Sequence, residues 1–239
     1  DYNQLPPPKD SPSFFKQFPV DFNMTQILRQ GEDSPIIHLA YEALNNGKLK
    51  PGKYGESTVY SSKVKDSTLQ ERLLMADQVL CGKNATRTYN NGKFREWKGL
   101  QGFPYNICPV VGDRLICMRN DHKKGVLNGE QFEVVELIDR DLGDIASMFV
   151  RSLDSGSDRL IDIDVPYGWF NGTENDIPRF LMESHDKFTY AYAMTVHKAQ
   201  GSQWDKGAVL DESGIFKEFR RNHLYTAITR MAQEVDIFL

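Results

Sequence analysis

Two short segments of this sequence hold most of the residues suited to gripping an anion. Thr195-Val196-His197-Lys198-Ala199-Gln200-Gly201-Ser202 follows a strand-like apolar run. A strand end that gives way to His, Lys, Gln and Gly sets cationic and amide donors on a tight backbone turn, which is equipment for holding phosphate. Any one of these residues fits an ordinary polar strand-to-helix turn equally well; the set together favours the anion. The second segment is Leu224–Met231, where Leu224, Ala227, Ile228 and Met231 fall at i, i+3, i+4 and i+7 and make a buried helical stripe. His223, Ala227 and Arg230 lie along a neighbouring face, so Arg230 is expected at the edge of a packed helix. A guanidinium held that way keeps its charge and loses little entropy on docking to an anion, though a structural ion pair would use it as well.

Residues 47–53 match the first seven positions of a phosphate-binding G-x-x-x-x-G-K loop. A working loop of that type follows a strand, opens a helix and continues with Ser or Thr to hold Mg²⁺. Here the loop follows a helical pattern, Pro51 restricts the backbone and the next residue is Tyr54, so a lysine-rich surface loop is expected. Cys81, Cys108 and Cys117 are odd in number and lack C-x-x-C spacing. They read as reduced thiols of a cytoplasmic protein and not as a zinc site or disulfide frame. The N-x-[ST] triplets at Asn23, Asn84 and Asn171 carry no weight without a secretory leader.

A net charge of −4 argues against coating nucleic acid by bulk charge, but leaves room for local patches at Lys48/Lys50/Lys53, Lys83/Arg87/Lys93/Arg95/Lys98 and Lys217/Arg220/Arg221. The composition, 40% hydrophobic and 26% charged, supports a folded core, and no apolar run nears the roughly 18 residues of a membrane span. The elements that must position the chemistry follow from periodicity. Residues 5–19 hold five of the eleven prolines and read as a connector with at most a short helix near 14–18. Ser34–Leu44 reads as a helix ended at Asn45-Asn46-Gly47, residues 48–66 as loop, Thr68–Met75 as helix and Gln78–Cys81 as a buried strand. Asp113–Met118, Gln131–Ile138, Ser147–Leu153 and Leu160–Val165 are short strands at close spacing, the texture of a small β-barrel or sheet. Beyond Asp186, Phe188–Thr195 alternates aromatic and small residues. Gly207–Leu210 then reads as a strand, Phe216–Met231 as a helix and Val235–Leu239 as a last strand.

Four stretches, taken in order, resemble motifs of superfamily-one DNA helicases, closest to the RecD-like and phage Dda-like 5′→3′ branch, the type of the exonuclease V alpha subunit. Asp1-Tyr2-Asn3-Gln4-Leu5-Pro6-Pro7 is similar to G-D-x-x-Q-L-P-P without its glycine, and Ile27-Leu28-Arg29-Gln30 to the arginine motif that begins the second motor domain. Thr195–Ser202 matches T-[VI]-H-K-x-Q-G-S, and Tyr225–Arg230 matches Y-T-A-[IV]-T-R. Between them Asn84, Arg87, Asn90 and Arg95 resemble an N-x-x-x-x-x-N…R stretch.

The resemblance implies an α/β fold: a RecA-like, P-loop-NTPase-type second motor domain with a parallel sheet and flanking helices at 23–111 and 186–239. A small β-barrel would be inserted at 112–185, with 1–22 as tail of a first motor domain and hinge. It implies that Gln4, Arg29 and Arg230 act on the ATP γ-phosphate, the two arginines as fingers, with Gly201 beside the nucleotide. Thr195, His197, Lys198 and Gln200, with Asn84 and Arg87 as further candidates, would line the single-stranded DNA track. ATP and Mg²⁺ would be held mainly by the first motor domain, whose P-loop and acidic pair are expected upstream of Gln4. The alternative is a non-catalytic DNA-binding or complex-forming subunit of a RecD-like exonuclease or recombination complex; in either case other subunits of a recombination or replication complex would be partners. A nuclease role lacks the clustered carboxylates that two-metal chemistry needs.

Overall fold

The computed structural model describes residues 3–6, 34–101, 108–140, 142–154 and 158–239. In chain order the elements are α1 (Pro35–Asn46), β1 (Gly52–Tyr54), β2 (Ser57–Tyr60), α2 (Asp66–Met75), β3 (Gln78–Cys81) and α3 (Asn84–Trp97). There follow β4 (Arg114–Cys117), β5 (Gln131–Ile138), β6 (Ile145–Ser152), β7 (Leu160–Pro166), α4 (Gly168–Asn171) and α5 (Arg179–Ser184). The last are β8 (Phe188–Tyr190), β9 (Ala193–Thr195), β10 (Trp204–Leu210), α6 (Arg220–Ile228) and β11 (Met231–Phe238). Described residues up to Asn84 and from Met194 onward form one compact unit, and those of Ala85–Ala193 a second. Residues 7–33, which take in most of the proline-rich connector and Arg29, lie outside the described residues.

The first unit is built on a six-stranded sheet ordered β1-β2-β11-β10-β3-β9. Its centre is parallel as expected, β2 with β11, β11 with β10 and β10 with β3, and β1 adds an antiparallel edge that makes the whole sheet mixed. Every residue of β3 is buried, the pattern of a strand covered on both faces. Pro35 opens α1 at a position where its missing N–H is not needed, and Gly47, at φ +65°, closes it by donating its N–H to the Ala43 carbonyl. The apolar face of α1 packs against α6. Arg72 of α2 clasps Glu234 and Asp236 of β11, each at 2.6 Å.

Two stretches depart from the sequence reading. The expected loop at 48–66 contains the β1–β2 hairpin, turned at Gly55 with φ +62°. Its strand β2 is short and polar, and it is held by pairing with β11, the last strand of the chain. The Gly47–Lys53 segment accordingly leaves a helix and enters a strand, the reverse of a phosphate loop. The expected helix Phe216–Met231 is instead a 3-10 segment, Ser213–Phe219, broken at Lys217, followed by the nine residues of α6. Leu224, Ala227, Ile228 and Met231 are all fully buried as the stripe requires, but Met231 is buried as the first residue of β11. Periodicity of burial cannot separate those two cases.

The second unit carries a five-stranded antiparallel sheet ordered β7-β6-β5-β4-β8. Its core includes Leu115, Phe132, Met148, Ile163 and Phe188, with Phe132 edge-on to Phe188 at 5.4 Å. The expected barrel is not closed: among the described residues no strand pairing joins β7 to β8, although the Asp186 amide donates to the Asp164 carbonyl at 2.9 Å. The three cysteines are buried and free. No helix of the described residues is long and apolar enough to cross a membrane, and no cluster of His, Cys, Asp or Glu among them could hold a metal ion.

Candidate functional site

In the first unit β9 ends at Thr195, and Val196–Gly201 makes successive turns. The Thr195 carbonyl accepts from the Lys198 and Ala199 amides at 2.9 and 3.1 Å, and the Val196 amide donates to the Cys81 carbonyl, tying the turn to β3. Gly201 sits at φ +95°, a left-handed conformation that glycine adopts freely. Gln200 does not point outward: its Nε2 donates to the Leu5 carbonyl at 2.7 Å. His197 bonds to the Pro6 backbone, and burial, opposed by that bond, holds its imidazole below the usual histidine range. Lys198 is half-buried.

Residues 3–6 are fastened across this turn and α6. The Leu5 amide donates to Thr226 Oγ1 at 2.7 Å, and Asn222 Nδ2 donates to the Asn3 carbonyl at 3.0 Å. Gln4, half-buried, is thereby fixed between two anchored neighbours. Arg230 reaches the same place from beyond α6. Its Nε donates to the Thr226 carbonyl at 3.3 Å, one terminal nitrogen to the Ser202 carbonyl at 3.3 Å and the other to Thr229 Oγ1 at 3.5 Å. Arg230 is buried, 2% exposed, and not displayed at a helix edge as expected, because α6 stops at Ile228 and the side chain folds back over the helix end.

The structure thus gathers Gln4, Thr195, His197, Lys198, Gln200, Gly201 and Arg230 through shared contacts on Leu5, Ser202 and Thr226. Asn84 is the exposed first residue of α3. Arg87, in the second unit, is committed to Glu174 at 3.5 Å and is 13% exposed. Sequence reasoning missed Thr226, whose hydroxyl holds the Leu5 amide inside a motif read only for its arginine. It also missed Glu212, whose Oε2 accepts from the Gly82 and Lys83 amides, both at 2.9 Å, and whose Oε1 pairs with Lys83 Nζ at 3.2 Å. An acid two residues after the strand Gly207–Leu210 was a signal of the same strand-end kind that singled out His197. Phe216 was also overlooked, and His223, with which it stacks at 4.1 Å, was read only as part of a helix face.

The fold is α/β with a mixed sheet, and it matches the fold of Pif1 helicase structures. The chain is similar to the Pif1 helicase from Candida albicans, at 14% identity over 89% of this chain and 55% of that one, with a TM-score of 0.50. It is likewise similar to Bacteroides Pif1 bound to ssDNA, at 19% identity over 88% of this chain and 50% of that one, also with a TM-score of 0.50. The chain therefore spans about half the length of these structures. Residues 190–236 match the UvrD-like helicase C-terminal domain, a span that takes in the turn after β9, all of α6 and most of β11.

Proposed function

We propose that this chain is the second motor half of an ATP-dependent superfamily-one DNA helicase of the RecD-like or Dda-like branch, coupling ATP hydrolysis to 5′→3′ movement along single-stranded DNA. One observation carries the reading: the Thr195–Ser202 turn and the Tyr225–Arg230 segment are joined by the Arg230–Ser202 bond, with Gln4 held against both through Leu5. A turn that meets a DNA strand and an arginine that meets a phosphoryl group then share one hydrogen-bonded frame, so a shift in one displaces the other. The Bacteroides Pif1 structure holds ssDNA, which suits single-stranded DNA as the partner here.

In this reading Lys198, with the turn's amides, meets the strand's phosphates and His197 meets the strand beside it, while Thr195 and Gln200 shape the turn; Asn84 and Arg87 are further contacts. Arg230, joined by Arg29, supplies charge to the γ-phosphoryl group, where positioned cations act mainly on the transition state. The bonds from Arg230 to the Thr226 and Ser202 carbonyls and to Thr229 Oγ1 are long and go to neutral oxygens, weaker acceptors than an anionic phosphate. Gln4 senses the same phosphate. ATP and Mg²⁺ need a P-loop and a carboxylate pair that this sequence does not contain, so the reading assigns them to a partner motor domain. The chain tested alone should not hydrolyse ATP.

The decisive test uses the protein with that partner domain present. Arg230→Ala should lower steady-state ATP hydrolysis by about 10³-fold or more while leaving the affinity for a fluorescent ATP analogue within a few-fold. Wild-type turnover in that variant would sink the assignment. If no hydrolysis is seen in any form while single-stranded DNA still binds, the non-catalytic subunit is the better description.

A further inference from the structure

The loop from β10 to α6 carries a side chain that the motif-bearing segments do not account for. The Phe216 ring lies 4.1 Å from that of His223 with the planes 20° apart, and 5.7 Å from that of His197 at 49°. It also closes on the end of β3: a β-carbon at Gly82 would come within 3.1 Å of Phe216 Cε2 and 2.9 Å of Glu212 Cβ. One ring therefore touches the turn before Asn84, the turn after β9 and helix α6. The next residue, Lys217, has φ 48° and ψ −113° and is the only non-glycine with positive φ among the described residues. Such a conformation persists only where the surroundings over-determine it. Behind the ring, His223 is fully buried and neither ring nitrogen has a hydrogen-bond partner, so its imidazole serves as a flat face against Phe216.

We propose that Phe216 is the positioning residue of the single-strand site. Wedged between His223 and His197 and seated over Gly82, it fixes the His197 imidazole and, with Glu212, the Gly82–Lys83 backbone in the arrangement that meets DNA. That Phe216 holds these groups rests on geometry alone; that they meet DNA rests on the helicase reading. The groups facing His197 are the Pro6 backbone and His223 across the ring, and His223 in turn faces Asp211 and Glu212, the latter paired with Lys83. Half-buried there, the His197 imidazole is held below the usual histidine range and meets the strand by hydrogen bonding, leaving charge to Lys198. Contact through His197 is then indifferent to pH across the physiological range.

The test follows the His197 imidazole by NMR through a pH titration, its signal assigned with His197→Gln, in the wild-type chain, Phe216→Ala and Phe216→Tyr. Phe216→Ala should raise the midpoint toward about 6.5, the ordinary value, and Phe216→Tyr, which keeps the ring, should restore it. If Phe216→Ala loses its cooperative melt, Phe216→Leu replaces it: a branched side chain cannot lie flat on both imidazoles, so water still enters and the midpoint still rises. Oligothymidylate binding by anisotropy, at about pH 6 and about pH 8, is the second arm. The Ala or Leu variant should tighten several-fold more than wild type at the lower pH, and His197→Gln should remove that excess. A structural role alone would weaken binding equally at both. An unchanged His197 midpoint in a folded Ala or Leu variant overturns the proposal. If the midpoint moves but no form binds oligothymidylate, Phe216 still positions His197 and it is the helicase reading that fails.

Discussion

His223 carries a cost that nothing around it offsets in hydrogen bonds: both ring nitrogens are buried and unpartnered, and each such group forfeits roughly 1–3 kcal/mol of solvation. Burial, reinforced by His197, pushes its pKa down to about 4, against the opposing pull of Asp211 and Glu212. The sign follows from which state takes up the proton. Between the unfolded value of about 6.5 and the folded value of about 4, the unfolded chain binds a proton that the folded chain refuses. The contribution of neutral His223 is thus complete above that window and is lost as pH falls through it, in total about 3 kcal/mol at roughly 1.4 kcal/mol per unit. His223→Phe keeps a flat face against Phe216 and has nothing to titrate. Denaturant melts at a series of pH values should show wild type losing stability below about pH 6.5 more steeply than the variant. Equal slopes would mean that His223 is hydrated or hydrogen-bonded in solution. Residues such as these are hard to find in sequence. His197, Lys198 and Gln200 stand out because they cluster within four positions, whereas the ring that touches His197 comes nineteen positions later, on a segment that looks like plain helix.

At the scale of elements, α3 is joined to the antiparallel sheet by one buried ion pair. Arg95 Nε donates to Asp113 at 2.9 and 3.1 Å, a terminal nitrogen donates to the Cys108 carbonyl, and the guanidinium lies 4.5 Å over the Tyr190 ring. Asp113 is completed by the Val110 amide at 2.8 Å and the Tyr192 hydroxyl at 3.1 Å. Burial raises the pKa of Asp113, opposed first by its bonds to Arg95. A buried pair of this kind adds little over an apolar one, but removing one partner strands a charge, at a cost of about 3–5 kcal/mol. Arg95→Met should lose about that much in equilibrium unfolding, and Arg95→Met with Asp113→Leu should recover most of it. A loss below about 1 kcal/mol in the single variant would show that water already reaches the pair. Elements with local signals were legible. The strands at Gln78–Cys81 and Gln131–Ile138 are apolar or β-branched runs bounded by polar turns, and α1 announces its end at Gly47. The β1–β2 hairpin was not legible, because Ser57–Tyr60 becomes a strand through its partner β11, more than 170 residues away.

For the whole molecule, the two units differ in how their strands are fed, and that decides where the chain can be cut. The first unit is parallel at its centre and buries Ile36, Leu39, Leu80, Val209, Leu224 and Ile237; the second is antiparallel with its own aromatic core. The chain leaves the first unit after Asn84 and returns at Met194. Exit and return are close, since the Val196 amide donates to the Cys81 carbonyl at 3.0 Å and the Cys81 thiol reaches the Met194 carbonyl at 3.5 Å. A short Gly/Ser linker can bridge such a gap, and loop closure over a few residues costs little. Removing Ala85–Ala193 takes away Asn91 together with the Tyr190 and Ala193 groups it binds, and leaves Glu212 on the Gly82 and Lys83 amides. Removing only 112–185, the span whose strand texture reads as an insertion, would leave β8 without β4 and Arg95 without Asp113, and would open Phe188 to water. The first deletion should therefore give a remnant with a single cooperative melt, and the second a remnant that melts broadly and binds a hydrophobic dye. If the larger deletion fails to fold while the smaller one succeeds, α3 and β8 are needed by the parallel sheet, and the antiparallel strands alone are the separable body.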